Sequence, residues 1–227
     1  MARSIYIVAL LLPACGGASL KDYETSDLTL DLTVEGHVAL SLGAGGSPGA
    51  CRRLEGPVRA TLNGREMRVD SYGGEVVTTE GWFCSAPEFS AARSETEDGD
   101  ALVEISDGRS RVVLRARNAF AERAISGHGR RADGSWSFLW APATDVGTSA
   151  VWRLDDESGA HFGQVAILGS ELLLDLSAEN LARGTLRVDG LGATPIDQCE
   201  GVASCRCSVR ASSGEIRLSG GIGGGVQ

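Results

Sequence analysis

The chain of 227 residues predicts an all-β fold, on three observations. Apolar and polar residues alternate over most of its length, as in Leu28, Leu30, Leu32 and Val34 against Thr29, Asp31, Thr33 and Glu35. Period two with one apolar side is the pattern of a half-buried strand. The alternating runs are punctuated by Asn63-Gly64 and Asp107-Gly108, the dipeptides that close tight hairpins. Glycine is abundant at 31 residues while aromatics are only 5%, which means many turns around a core of Val, Leu, Ile and Ala.

Each element follows from the same rules. Val38, Leu40 and Leu42 repeat the alternation after Gly36. Val58, Ala60 and Leu62 lead to Asn63-Gly64, and Met67 and Val69 continue beyond it. Val76-Val77-Thr78-Thr79 and Trp82-Phe83-Cys84 read as further strand pieces. Leu102, Val103 and Ile105 reach Asp107-Gly108, and Val112-Val113-Leu114 follow as a second hairpin. Residues 94–100 are polar and acidic and read as a surface loop. The segment 126–134, with Gly127-His128-Gly129-Arg130-Arg131, reads as a separator between two β-rich halves.

The second half holds strand-like runs at 135–141, 150–154, 164–168 and 172–176. One helical turn is predicted at 177–183, with Ser177 as its cap. Runs at 185–188, 205–211 and 215–218 complete the set, the last two joined as a hairpin by Ser212-Ser213-Gly214. Trp140-Ala-Pro142-Ala-Thr-Asp145 resembles the entry strand of fibronectin-III and immunoglobulin-like modules. That resemblance implies an antiparallel β-sandwich over roughly 134–219. The expected organisation is therefore two small β-sandwich modules, at 28–126 and 134–219, with a glycine-rich tail at 220–227.

The amino terminus carries a different signal. Arg3 precedes an apolar run at 5–12, which ends in Leu12-Pro13-Ala14-Cys15. A basic residue, a short apolar stretch and a small residue at the cut make an export signal. The run is too short to span a bilayer, which needs about 20 apolar residues. Leu-x-Ala-Cys resembles the lipobox of bacterial lipoproteins, with Pro13 standing where small residues are more usual. The resemblance implies removal of residues 1–14 as a signal peptide, and acyl chains such as palmitate on Cys15. Two or more chains hold a protein stably on a membrane. Gly16 in place of Asp after the cysteine implies sorting to the outer membrane of the cell envelope. Residues 15–27, opening with Gly16-Gly17-Ala18-Ser19, read as a lipidated flexible tether.

An exported protein is permitted disulfides. With Cys15 assigned to lipid, Cys51, Cys84, Cys199, Cys205 and Cys207 remain. Cys51 and Cys84 are the only pair in the first half and are expected to bridge. A Cys205–Cys207 ring would be very short, so Cys199 is expected to pair with Cys205 or Cys207. One thiol is left over.

The formal charge of −9 disfavours nucleic acid, whose phosphates demand basic partners. No motif calls for a cofactor or metal: the cysteines lack paired C-x2-C units, and His37, His128 and His161 lie far apart. Lys21 is the only lysine, which argues against Schiff-base and Ser–Lys chemistry. Asp155-Asp156-Glu157 reads as a solvated turn rather than a calcium loop. Trp136, Phe138 and Trp140 share one strand face and are expected in the core.

The expected role is non-enzymatic: a binding or structural lipoprotein, held on the membrane through Cys15, with an envelope protein or glycan as partner. One alternative is a carbohydrate- or protein-binding adhesin, which predicts exposed aromatics on one face or loop. Another is a hydrolase, which predicts His128 or His161 beside a carboxylate in a concave pocket.

Overall fold

The computed structural model describes residues 17–43, 51–79, 81–93, 99–175 and 184–218. The fold is all-β, and the single helical turn among these residues is a 3-10 turn at Leu20–Tyr23. The first half supplies β1 (Gly17–Ala18), β2 (Asp27–Asp31), β3 (His37–Leu42), β4 (Arg53–Leu54), β5 (Arg59–Leu62), β6 (Arg65–Glu66), β7 (Arg68–Thr78), β8 (Gly81–Ala92), β9 (Ala101–Ser106) and β10 (Arg111–Ala116). The second supplies β11 (Ala124–Arg130), β12 (Trp136–Ala141), β13 (Val146–Asp156), β14 (Gly159–Gln164), β15 (Ala166–Leu168), β16 (Glu171–Leu174), β17 (Gly184–Ala193), β18 (Ile196–Glu200), β19 (Ser204–Ser212) and β20 (Ile216–Leu218).

The alternating runs become strands with the faces their patterns dictate. Leu28, Leu30, Val38, Leu40, Leu42 and Phe89 point inward from the antiparallel ladder β2–β3–β8–β7. Ala60, Leu62, Val103, Ile105, Val112 and Leu114 point inward from a five-stranded sheet ordered β18–β10–β9–β5–β6. Both inner faces belong to one continuous buried cluster. Asn63 (φ 49°) and Gly64 (φ 78°) make the turn between β5 and β6, because a two-residue hairpin of this hand needs positive φ at both positions. At Met67 the chain turns a corner, its N–H still bonded to Ala60 O at 2.9 Å, and β7 leaves to pair with β8 in the other sheet.

The separator expected at 126–134 is a correction. Residues 124–130 are strand β11, which forms a hairpin with β12. The ladder shifts register between Gly127 and Gly129, so His128 is the extra residue of a bulge. Nor do the halves stand apart as two modules. β18 pairs antiparallel with β10, and β19 pairs parallel with β2, Cys205 opposite Leu28 and Cys207 opposite Leu30. The carboxy-terminal strands thereby cover the edges of β2 and β10, which would otherwise present unpaired backbone groups. Pro195 marks the point where the chain crosses from one sheet to the other. β17 ends at Ala193, β18 begins at Ile196, and Arg117 N–H bonds Pro195 O at 2.9 Å. A proline has no N–H to give a ladder and suits such a break.

Two further expectations are revised. The 205–211 and 215–218 runs do not form a hairpin. β19 and β20 both lie antiparallel along β17, one after the other. Ser213 stitches the join: its hydroxyl accepts Val188 N–H at 2.9 Å and its N–H bonds Val188 O at 2.9 Å. The tether expected over 15–27 is folded from Gly17 onward. Leu20 and Tyr23 are fully buried, and Leu20 N–H bonds the Asp107 carboxylate. An apolar pair two turns from a Gly-rich start gains more from burial than a leash gains from freedom. The helical turn expected at 177–183, most of the acidic loop at 94–100, and the tail at 220–227 lie outside the described residues.

In the carboxy-terminal half, Phe138 and Trp140 of β12 are buried and Trp136 packs against the core, so the shared face is an inner one. Trp140 lies over β17, where a Cβ on Gly190 would overlap its ring. Trp152 is buried from β13, under Gly163 of β14.

Candidate functional site

The cysteines sort into two bridges and one thiol. Cys51 is joined to Cys84 and Cys199 to Cys205, with Cα separations of 5.1 and 5.8 Å. The second bridge closes the short connection between β18 and β19, so pairing falls to Cys205, while Cys207 is free and fully buried. Cys205 and Cys207 share strand parity, but only Cys207 lies deep in the core, opposite Leu30 of β2 on one side and bonded through its carbonyl to Thr194 N–H, just past β17, on the other. Burial pushes its thiol up to about 12, which keeps it protonated and unreactive. Cys15 lies outside the described residues.

A buried polar knot joins the two halves near Cys207. Arg123 donates from Nε to Asp145 Oδ2 at 2.7 Å, and Trp140 Nε1 donates to the same oxygen at 3.2 Å. The remaining Arg123 nitrogens bond the carbonyls of Asn118, Ala119 and Ala121 at 2.8–2.9 Å. Asp145 thus ends the Trp140–Asp145 segment as a structural anion. Asp145 Oδ1 is buried without a hydrogen-bond partner, so the pair is held through Oδ2 and the arginine's carbonyl contacts.

The histidines offer two polar clusters. At the β13–β14 turn, the Ser158 hydroxyl lies 3.0 Å from His161 Nε2 and donates to Asp156 Oδ1 at 2.6 Å. Asp156 also lies 3.3 Å from the same Nε2. A relay needs the carboxylate on one ring nitrogen and the hydroxyl on the other; here both meet Nε2, on an exposed hairpin turn. The Ser158 hydroxyl and backbone N–H hold the Asp156 carboxyl below its usual range, so it is a poorer base still. Asp155, its neighbour, pairs with Arg153 at 2.8 Å.

The second cluster lines an open groove of about 450 Å³ between the β5–β6 hairpin and the outer face of β3–β8–β7, with His37, Arg65, Glu66, Arg68 and Ser90 in its walls. Ser90 sits opposite both Arg68 and Ala39 in the ladder and is buried beneath the Arg68 side chain. The Ser90 hydroxyl, then Arg68, hold the Asp70 carboxyl below its usual range. The Ser90 hydroxyl accepts a hydrogen bond from Arg68 Nη2 at 3.4 Å. The groove offers charges of both signs for polar recognition. The side chain of His128 lies outside the described set. Among the described residues no group of three His, Cys, Asp or Glu side chains could hold a metal ion.

The aromatic side chains divide sharply. Trp140 and Trp152 are buried, whereas Trp82 is 41% exposed and Phe83 51%. Both lie in the distal part of the β7–β8 hairpin. Proximally this hairpin is flanked by β3 through Glu88 and by β4 through Gly73. Distally, past the Cys51–Cys84 bridge, the rungs Val76–Phe83, Val77–Trp82 and Thr78–Gly81 pair, among the described residues, only with each other. Opposed residues share a face, so Val77 and Trp82 make one apolar face and Val76 and Phe83 the other. Val77 is 77% exposed. The sequence predicts two ordinary strand pieces here; the signal for exposure is four apolar residues consecutive in pairs rather than alternating, Val76-Val77 and Trp82-Phe83.

No protein-family model and no curated protein matches the chain.

Proposed function

We propose that the protein is a lipid-anchored protein of the bacterial cell envelope, sorted to the outer membrane, whose ectodomain works by binding or scaffolding and not by chemistry. The observation that carries this reading is the sequence Leu12-Pro13-Ala14-Cys15 placed two residues before the first described strand, at Gly17. A signal ending there would be removed without cutting into any described strand. Two disulfide bridges support an oxidising compartment. The exposed apolar hairpin end and the groove beside His37 and Arg68 support a binding role, since contiguous exposed apolar surface marks contact with a partner or a membrane.

The experiment is metabolic labelling with a fatty-acid probe in a bacterial host, followed by membrane fractionation. The wild-type chain is expected to be labelled and membrane-bound, and Cys15→Ala to be unlabelled and soluble. Labelling that survives Cys15→Ala overturns the reading.

A further inference from the structure

We infer that β14 is a docking edge for a second copy of this chain, and that two copies join into one continuous sheet across a two-fold axis at Phe162. This contact lies apart from the hairpin end and the groove described above, and it does not depend on the anchor at Cys15.

β14 is an open edge: among the described residues it pairs only with β13. Sheet edges are ordinarily protected by shortness, charge, proline or a bulge. Other edges of this fold follow that rule. β1 and β6 have two residues, and β15 and β20 have three. β18 carries Asp197 and Glu200, β11 is bulged at His128, and the distal β7–β8 hairpin holds Glu75 and Pro87. β14 has six residues, Gly159-Ala160-His161-Phe162-Gly163-Gln164, with no Lys, Arg, Asp, Glu or Pro among them.

The register fixes which backbone groups are free. Val165 N–H bonds Ala150 O at 3.0 Å, and the ladder runs on from Val151–Gln164 to Asp156–Gly159. Hydrogen-bonded and non-hydrogen-bonded pairs alternate along an antiparallel ladder. Gly163, His161 and Gly159 therefore bond toward β13, while Ala160, Phe162 and Gln164 turn their N–H and C=O groups outward. The side chains of these three share the outer face of the sheet, where Phe162 is 67% exposed and Val151, diagonal to it on β13, is 52% exposed. Arg153, opposite Phe162, sits over its ring at 5.5 Å from the centroid.

A second copy fits this edge in one antiparallel register. With the axis at Phe162, Phe162 of one copy lies opposite Phe162 of the other, and Ala160 lies opposite Gln164 on either side. Each outward residue then exchanges both of its backbone hydrogen bonds with its opposite. His161 meets Gly163, which has no side chain to obstruct the imidazole. The two phenyl rings make a cross-strand aromatic pair, each flanked by its own Arg153, whose charge is paired with Asp155 at 2.8 Å. No like charges stand opposite each other on the joined strands. Antiparallel pairing also sends the two Asp155-Asp156-Glu157 turns to opposite ends of the shared ladder, whereas parallel pairing would stack them. This matters in a chain of net charge −9, which repels its own copies except where a surface is locally balanced.

The test is cysteine cross-linking of the full chain under mild oxidation, with sedimentation velocity alongside. Hydrogen-bonded opposite residues have Cα atoms about 5.5 Å apart, within reach of a disulfide. Phe162→Cys is expected to form a disulfide dimer with itself, above the wild-type background. Ala160→Cys and Gln164→Cys are expected to cross-link with each other when mixed and not alone, because like positions lie about 13 Å apart along the ladder. The wild type is expected to sediment as a concentration-dependent dimer. Phe162→Asp alters an exposed side chain and sets two carboxylates opposite each other, so it is expected to raise the dimer midpoint by roughly tenfold or more. A wild type that stays monomeric at every concentration reached overturns the second copy as occupant; an edge reserved for a strand of a different protein would give this result. Ala160→Cys or Gln164→Cys joining alone as readily as Phe162→Cys overturns the register. A dimer that withstands Phe162→Asp and gives no Phe162→Cys bridge forms elsewhere and overturns the edge. Each of these outcomes leaves the labelling of Cys15 as it stands.

Discussion

The carboxylate of Asp107 accepts the N–H of Leu20 at 2.9 Å, joining the second hairpin turn to the first folded turn across 87 residues of sequence. The other carboxylate oxygen accepts the N–H groups of Arg109 and Ser110 at 2.9 and 2.7 Å. Partial burial pushes this carboxyl up, but the backbone N–H groups of Ser110, Leu20 and Arg109 outweigh it and hold it below the usual range. One aspartate thus closes its own turn and fastens the start of the domain, next to the buried Leu20 and Tyr23.

Asp107→Ala is expected to cost about 1.5–3 kcal/mol, the range for hydrogen bonds to a charged group. Amide exchange at Leu20 and its neighbours should rise more than exchange in β13 or β17. The pH dependence follows from the depressed folded value. The contribution is full above the unfolded carboxyl range, near 4, and is lost as pH falls through the lower folded value. Urea midpoints measured from pH 6 down to pH 3 should drop less steeply in Asp107→Asn than in the wild type; equal slopes would remove the assignment.

The Arg123–Asp145 pair makes a second expectation. Its side chains are 5% and 0% exposed, so Asp145→Ala leaves a guanidinium buried with no counter-charge. A loss of about 3–5 kcal/mol is expected, with Asp145→Asn milder because it keeps an acceptor for Trp140. Chemical denaturation of both variants checks the order, and near-ultraviolet dichroism should register the change at Trp140.

Cys207 should be silent to thiol reagents in the folded chain. Its burial and raised thiol value predict no labelling by a maleimide at pH 8 in native buffer. One equivalent is expected at Cys207 once the chain is unfolded without reductant. Rapid native labelling at this position would show that β19 does not sit between β2 and β17 as described.

The bridges differ in the loops they close. Residues 33 apart are joined in Cys51–Cys84 and 6 apart in Cys199–Cys205. In the chain-entropy model these are worth about 3.7 and 2 kcal/mol. Serine replacement of the first pair should therefore lower the urea midpoint more than replacement of the second. The reverse order would mean that the second bridge does more than shorten its loop, consistent with a role in holding β18 to β10 and β19 to β2.

Gly190 reports on layer packing. A Cβ there would overlap the Trp140 ring, a rigid buried group that cannot swing aside. Gly190→Ala is expected to destabilise by about 1–3 kcal/mol through overpacking. Gly36→Ala, whose Cβ meets nothing within 4 Å but whose φ is +69°, should cost only the backbone term of about 1 kcal/mol.

Local chemistry was enough for the strands and turns. Leu28, Leu30, Val38 and Leu40 alternate because each belongs to a two-faced strand, and that period is written in consecutive residues. Asn63-Gly64 closes a hairpin because positive φ is a property of the two residues themselves. The Cys51–Cys84 pairing could be expected by elimination, and the inward face of Phe138 and Trp140 by parity. Partnership between distant strands was not legible in this way. Nothing in residues 196–212 says that β18 will join β10 or that β19 will lie parallel to β2. Those choices depend on which edges stand unpaired once the rest has packed. The same holds for Gly127-His128-Gly129, whose composition suits a linker until a neighbouring strand uses its backbone, and for Cys205 over Cys207, which strand parity cannot separate and depth in the core does. The exposed rungs at Val77 and Trp82 are the sharpest case. Apolar residues ordinarily mean core, and only the hairpin's projection beyond its neighbours leaves these in the open.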